Sequence, residues 1–174
     1  LTVIYLNGIL RYILQLPINI LVIYLVMNIP LPTHLLIHFS LAILSGYIAG
    51  RHFKKLEIGI LVGFIGGFLI DLDHVLEYLI VYSGHFNLLY FLQGRQFVTS
   101  DQIHLWFHAW EYVPILIIFG LILKKRKTLE VIAITLAFAI SVHLITDSII
   151  NRCPPKFYSL AYRASLNFSA PKLM

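Results

Sequence analysis

Histidine and carboxylate side chains recur at helical spacing inside the apolar segments of this chain. His143 and Asp147 are four residues apart, and Asp71 stands three residues before His74. Residues three or four apart share one face of a helix, so each pair can present both side chains in one direction. Helical bundles build metal sites from imidazole and carboxylate groups held in this way on facing helices. We therefore predict that these four residues are metal ligands.

The segment Asp71-Leu72-Asp73-His74 is the strongest of these signals, because two carboxylates and an imidazole interrupt an apolar run. An ionisable side chain near the bilayer centre costs about 3 kcal/mol, so such groups are expected to bind a partner or a cation. The plainer alternative is a helix end whose side chains reach headgroup water. Asp73 lies about 100° away from Asp71 and His74 around a helix. It is predicted to be a bridging ligand, a partner of a ligand or a general base.

Two further histidine pairs lie near predicted helix starts. His104 and His108 are four residues apart, and Glu111 follows His108 by three. His108 is predicted to be a ligand and Glu111 a ligand or a general base, while His104 is expected near the membrane interface. His34 and His38 are also four residues apart, and one of the two is expected to bind the metal.

The composition predicts that these residues are embedded in a membrane. Hydrophobic residues make up 59% of the 174 residues and charged residues only 12%, and the mean hydropathy is +0.85. Soluble domains carry about 25% charged residues, so a water-soluble enzyme and a disordered chain are both excluded. The formal net charge is +5, but the basic residues cluster beside apolar runs, which favours a membrane protein over a nucleic-acid binder. A single cysteine, Cys153, excludes an internal disulfide.

Five segments are long and apolar enough to cross the hydrocarbon core as helices. These predicted spans cover residues 9–29, 32–50, 58–82, 104–123 and 129–150. The first is interpreted as a retained helix, because it contains Arg11 and lacks a small-x-small cleavage site. The sequence thus predicts an all-α, polytopic membrane bundle of about five transmembrane helices over residues 1–150. Residues 151–174 are predicted to form a basic C-terminal tail.

The loops set the expected orientation. Basic clusters at residues 51–55 and 124–127 are predicted to be cytoplasmic by the positive-inside rule, which places the N-terminus in the cytoplasm. Successive spans cross the membrane in opposite directions, so the span ends that carry ionisable residues lie at one level. With the N-terminus in the cytoplasm, that level is the external face of a prokaryotic cell membrane. Within the third span, Gly59, Gly63 and Gly67 recur at every fourth position, a spacing that lets a neighbouring helix approach closely.

The order of these motifs resembles a known family. Thr33-His34 opens a span, Asp71-x-Asp73-His74 ends one, a histidine-containing segment opens the next, and His143-x-x-x-Asp147 lies near the end. Over about residues 32–150 the chain resembles the membrane-bound metal-dependent hydrolases, the YdjM-like group of small bacterial and archaeal membrane proteins. Ile70 replaces a usual proline, and the segment at 104–111 lacks the arginine of the family's His-Arg-Gly-x-Thr-His-Ser block. The resemblance implies hydrolysis and favours His34 over His38 as a ligand.

The leading hypothesis is a metal-dependent hydrolase of the membrane. Imidazole and carboxylate ligands suit Zn, Mn or Fe, and the number of ligands allows one or two ions. A site at the membrane face predicts a lipid or lipid-linked ester or phosphoester as substrate, with Asp73 or Glu111 as the catalytic base. Basic residues of the tail, Arg152, Lys156 or Arg163, are expected to hold an anionic headgroup.

Two other functions stay open. The histidine pairs are similar to those of membrane di-iron oxidases, although such enzymes use His-His doublets, which this sequence lacks. The chain could also be a non-catalytic metal-binding accessory subunit of a larger membrane complex. Membrane lipids are the expected partners for all three functions. A membrane protein or a second copy of the chain is a further possible partner, and no nucleic acid is expected.

Overall fold

The computed structural model describes residues 29–93 and 95–173. All but the last residue of the predicted first span, 9–29, lies outside these ranges. The chain divides into two units, residues 1–34 and 35–174, and all contacts described below lie within the second. The described residues form helices and no strand, which confirms the predicted all-α class.

The described chain contains nine α-helices and two short 3₁₀ turns. The helices are α1 (Leu31–His52), α2 (Leu56–Gly67), α3 (Leu72–Val81), α4 (Leu88–Leu92), α5 (Arg95–Thr99), α6 (Tyr112–Ile122), α7 (Lys127–Ile150), α8 (Leu160–Ser165) and α9 (Ala170–Leu173). The 3₁₀ turns, Leu69–Asp71 and Pro155–Tyr158, precede α3 and α8. Among the described residues, α1, the run Leu56–Val81 and α7 are long and apolar enough to cross a membrane.

Glycines bring α1 and α2 into backbone contact. A Cβ atom added to Gly63 would lie 2.5 Å from Gly46 Cα, and one added to Gly46 would lie 2.8 Å from Ile60 Cα. No side chain fits between the two helices at this point, which confirms that the glycine repeat serves helix packing. Helix α7 packs against both α2 and α6.

The predicted fourth span, 104–123, is helical only from Tyr112 onward. Residues 101–111 form a loop with turns, so His104 and His108 do not share a helix face as their spacing predicted. Pro114 gives the physical reason, because a proline ring clashes with the carbonyl four residues earlier and is tolerated only in the first helical turn. The helix therefore cannot extend back through Trp110.

The described part of the predicted basic tail, residues 151–173, is folded. Trp110 N donates to Tyr158 O over 2.9 Å, Ile103 N donates to Phe168 O over 2.8 Å, and Ala170 N donates to Asp101 O over 2.8 Å. These bonds attach the C-terminal segment to the 101–111 loop. The buried core at this junction comprises Ile70, Ile103, Leu105, Ile140, Leu144, Phe157, Tyr158, Ala170 and Leu173. Burial of these apolar groups accounts for the attachment of the basic C-terminal segment to the loop.

Candidate metal centre

Four donor atoms from three segments meet inside the bundle. Asp71 ends a 3₁₀ turn, His108 lies in the 101–111 loop, and His143 and Asp147 lie on α7. His108 Nε2 and His143 Nε2 are 3.1 Å apart. Each of these nitrogens is 3.5 Å from Asp71 Oδ1, and they lie 3.6 and 3.3 Å from Asp147 Oδ2. These distances confirm that the four residues converge, whereas their role as ligands stays a prediction.

Five of the separations suit ligands of one cation. Zinc binds imidazole nitrogen and carboxylate oxygen at about 2.0–2.2 Å, so two tetrahedral ligand atoms lie about 3.3–3.6 Å apart. The two Nε2 atoms lie 3.1–3.6 Å from each other and from one oxygen of each carboxylate, close to that value. His108, His143 and Asp147 are also buried to 1% exposure or less. A buried set of two imidazoles and two carboxylates therefore has both the chemistry and the size of a metal site.

A break in the second candidate span orients His143. Helix α2 ends at Gly67, and Asp71 N donates to Phe68 O over 3.2 Å instead of continuing the helix. The carbonyl of Gly67 is thereby left for His143 Nδ1, which lies 3.0 Å away and donates to it. The bond fixes the tautomer of His143, so the lone pair of Nε2 faces the other donors.

Asp73 orients His108 in a similar way. Its Oδ2 atom accepts Phe107 N over 2.7 Å and lies 3.3 Å from His108 Nδ1. Asp73 is 1% exposed, so this carboxylate is held in place by the fold. A carboxylate behind a metal-binding histidine is common, because it fixes the ring and raises its basicity. Of the roles predicted for Asp73, the structure supports that of a partner of a ligand.

The two Nε2 atoms need a positive charge between them. With both Nδ1 atoms donating elsewhere, the two lone pairs face each other across 3.1 Å. A shared proton or a bound cation removes this repulsion. Asp71, Asp73 and Asp147 place carboxylate oxygens 3.3–3.6 Å from the nitrogens of His108. The surrounding carboxylates thus make the centre attractive to any cation.

Two further histidines flank the four donor atoms. His38 Nε2 lies 3.1 Å from Asp147 Oδ1, and His74 Nε2 lies 3.8 Å from Asp71 Oδ1. Donor atoms of Asp71, His74 and His108 lie within 4.8 Å of one another, as do those of His38, Asp71 and His143. Asp71 Oδ2 is buried and has no hydrogen-bond partner among the described residues. The flanking histidines therefore offer ligands for a second ion.

His38 is the site residue that sequence reasoning set aside in favour of His34. His38 is 1% exposed, whereas His34 is half-buried in the first turn of α1 and belongs to the first unit. The signal for His38 was its position one turn further into the apolar span, where an unpaired polar group is more costly. Ligation by His34 stays a prediction.

Glu111 anchors the C-terminal segment instead of joining the donor set. Its Oε1 accepts Ser159 Oγ over 2.6 Å and Ala161 N over 3.0 Å, and its Oε2 accepts Leu160 N over 3.0 Å. Burial would raise the pKa of Glu111, but these three bonds outweigh burial and lower it to about 2. A carboxylate so firmly held as an acceptor is a poor base at neutral pH.

Arg163 holds the loop that carries His108. This side chain is fully buried, and its Nη2 donates to Leu105 O over 3.0 Å and to His108 O over 2.8 Å. Leu105 has a φ of 41°, an uncommon backbone conformation that costs of order 1 kcal/mol and needs such support. The sequence analysis expected Arg163 to be one of the residues that hold an anionic headgroup. Because its side chain is fully buried, Arg163 cannot reach a headgroup at the surface.

The centre is most accessible at Asp71 and His74. Their side chains are 17% and 31% exposed, while the other donors are buried. A cavity of about 280 Å³ borders this edge and is lined partly by His74, Asn151 and Tyr158. A small molecule in this cavity would therefore meet the donor set at His74.

No family model matches this chain, and no curated protein or solved structure matches it. The resemblance to the YdjM-like hydrolases therefore stays a prediction. What is established is a buried histidine and aspartate cluster that could bind metal, in an all-helical chain with helices long enough to span a membrane.

Proposed function

We propose that this chain is a membrane-embedded metal-dependent hydrolase that acts on a lipid or a lipid-linked ester or phosphoester. The observation that carries the proposal is that two Nε2 atoms lie 3.1–3.6 Å from each other and from one oxygen each of Asp71 and Asp147, with both imidazoles oriented from behind. We favour Zn²⁺ because these distances suit its imidazole and carboxylate ligands, with Mn²⁺ and Fe²⁺ as alternatives. The resemblance to membrane-bound metal-dependent hydrolases agrees with this proposal.

Different residues of the chain would bind the metal, orient its ligands and accept a proton in such a reaction. Asp71, His108, His143 and Asp147 would hold the ion, which lowers the pKa of a bound water to about 7. Gly67 O and Asp73 keep the two imidazole rings in the orientation that metal binding needs. His74, at the exposed edge, either accepts a proton from the attacking water or binds a second ion.

The depth of the centre supports a lipid substrate. His143 lies seven residues before the end of α7 at Ile150, which corresponds to about 10 Å along the helix. A bond to be cleaved there must belong to a molecule that enters the membrane. We place this end of the bundle at the external face of a prokaryotic membrane, as the basic loops at the opposite end predict.

One observation favours a rival function, a metal-binding accessory subunit. Structural zinc sites are closed by four protein ligands, whereas catalytic sites keep a position for water or substrate. His108, His143 and Asp147 are fully buried, as in a closed site. The exposure of Asp71 and His74 argues for an open one.

Metal content is the first test. The protein, purified in a mild detergent without chelator, is expected to carry one or two equivalents of Zn, Mn or Fe by elemental analysis. Asp71→Asn and His143→Gln keep the side-chain shape and are expected to lose the metal, because each removes one of the four donors. His85→Gln is the matched control, since His85 lies exposed in a loop. Metal-free wild-type protein that does not take up these ions would refute the proposal.

Activity separates the hydrolase from the accessory subunit. Phosphodiesterase and lipase assays on detergent-solubilised phospholipid should show turnover by the wild type, and a loss of at least about 100-fold in Asp71→Asn and His143→Gln. His85→Gln should retain full turnover. Bound metal with no turnover on esters or phosphoesters, together with a stoichiometric co-purifying protein, would establish the accessory role instead.

A further inference from the structure

An apolar groove of about 420 Å³ lies between α2 and α7, apart from the four donor atoms. Its walls include Ile65 and Gly66 of α2, Leu136 and Ile140 of α7, and Phe107 of the loop that carries His108. The metal centre makes no use of any of these side chains. The groove therefore needs an explanation of its own.

The groove and the donor atoms share one face of α7. Leu136, Ile140 and His143 stand at positions i, i+4 and i+7 of α7, so they follow one another along a single face of that helix. The distance from Leu136 to His143 is about 10 Å along the axis. On the other walls, Ile70 precedes Asp71 and Phe107 precedes His108 in the chain. A chain-like molecule that lies in the groove along α7 would thus point toward the turn of the helix that carries His143.

The size and surroundings of the groove select its occupant. Ile65 and Leu136 lie well inside two candidate spans, where the surrounding medium is hydrocarbon. A partner helix has a diameter of about 10–12 Å, so 420 Å³ would hold only about one turn of it. The same volume accommodates about fourteen groups of about 30 Å³ each, roughly the size of one methylene or one water molecule. A single acyl chain fits, and a helix does not.

We propose that this groove binds one acyl chain of a membrane lipid and so positions the ester or phosphoester of that lipid at the metal centre. The inference rests on the proposed hydrolase function for its catalytic consequence, but not for lipid binding itself. The polar headgroup then lies on the opposite side of the centre, toward His74 and the cavity beside Asn151 and Tyr158. The substrate class is therefore a long-chain amphiphile.

Photo-crosslinking tests the binding directly. The probe is a phosphatidylglycerol with a diazirine near the end of one acyl chain, mixed into nanodiscs of unlabelled phosphatidylglycerol that contain the full chain. After a detergent wash, labelled peptides from the groove walls around Ile65 and Leu136 should exceed those around the exposed Ile118 at least fivefold. Leu136→Trp should abolish this excess, because the indole fills the groove. Phe138→Trp, on an exposed face of the same helix, should not.

Ile65→Trp repeats the test from the other wall, at a half-exposed position that tolerates a larger side chain. Variants are compared only at equal metal content, so that a folding defect is not mistaken for a filled groove. Equal labelling of the groove and Ile118, or an unchanged excess in both groove variants, would overturn the inference.

Chain-length preference separates the groove from the reaction. The ratio of kcat/KM for dioleoyl over dibutyryl phosphatidylglycerol should fall at least tenfold in Leu136→Trp, with the dibutyryl substrate unaffected. If the wild type hydrolyses both substrates and this ratio is unchanged, the groove inference fails and the hydrolase stands. If the groove is labelled but neither substrate is hydrolysed, the lipid site stands and the hydrolase fails.

Discussion

The glycine contact between α1 and α2 and the candidate metal centre join helices by opposite means. At Gly46 and Gly63 the helices touch because side chains are missing, and a single added Cβ would lie within 2.5 Å of the facing backbone. At the metal centre the segments are held apart by imidazoles and carboxylates that leave 3.1–3.6 Å between donor atoms. One contact excludes any added atom, and the other has room for a cation.

The glycine contact serves the folding of the bundle, whereas the candidate metal centre serves the proposed function. The glycine contact depends on shape, so it is sensitive to volume and indifferent to charge. The metal centre depends on charge and lone pairs, so it is sensitive to substitutions that keep shape but change chemistry.

Gly63→Leu is expected to have the largest effect. The new side chain would have to enter the space of Gly46 Cα and Ala42 O, and overpacking typically costs about 1–3 kcal/mol, with the upper end expected where the neighbour is backbone. We expect little monodisperse protein on size-exclusion chromatography. Leu61→Phe, at a 60% exposed position of the same helix, should behave as wild type. A folded Gly63→Leu protein that still binds metal would show that the contact between α1 and α2 tolerates a side chain.

Asp147→Asn should abolish metal binding while leaving the bundle intact. The carboxylate faces His38 through one oxygen and His108 and His143 through the other, so its charge contributes to the whole centre. Zinc at about 100 times its Kd should stabilise the wild type by about 2.7 kcal/mol in thermal unfolding. The variant should show no zinc-dependent rise in Tm. An equal rise in both proteins would mean that zinc binds elsewhere.

Asp73→Asn should weaken metal binding without abolishing it. The amide still fills the space beside Phe107 N but orients His108 Nδ1 less well, and loss of such partners lowers metal affinity about 10–100-fold. Competition with a coloured chelator measures the change. Asp101→Asn, at an exposed loop position, serves as the control. Unchanged affinity in Asp73→Asn would show that the loop alone positions His108.

Glu111→Gln should have the smallest effect, and one that depends on pH. Folding lowers the pKa of Glu111 from 4.5 to about 2, so its contribution to stability is fully present above about pH 4.5 and is lost as the pH falls toward 2. After allowance for solvent screening we expect a loss of about 1–2 kcal/mol at pH 7, shrinking toward pH 3. Thermal unfolding from pH 3 to 7 measures this, with Glu57→Gln as the exposed control. A loss that does not vary with pH would contradict the assigned cause.

Much of the architecture was predictable, because hydropathy and residue spacing are local properties. The apolar composition predicts the helical membrane class, and the i, i+4 spacing of His143 and Asp147 held because α7 is an unbroken helix. The same argument failed for His104 and His108, where Pro114 ends the helix on its N-terminal side. Proline was the one local signal that could have corrected the prediction for the fourth span.

Short-range pattern in the sequence is enough to predict which chemical groups are buried in the bundle and roughly which helix ends carry them. What each group does there depends on contacts that form only when the chain folds. Asp73 supports His108 from behind, Glu111 anchors the C-terminal segment, and Gly67 offers a carbonyl to His143. These assignments depend on distances between residues 34 to 76 positions apart in the chain, which no local pattern encodes.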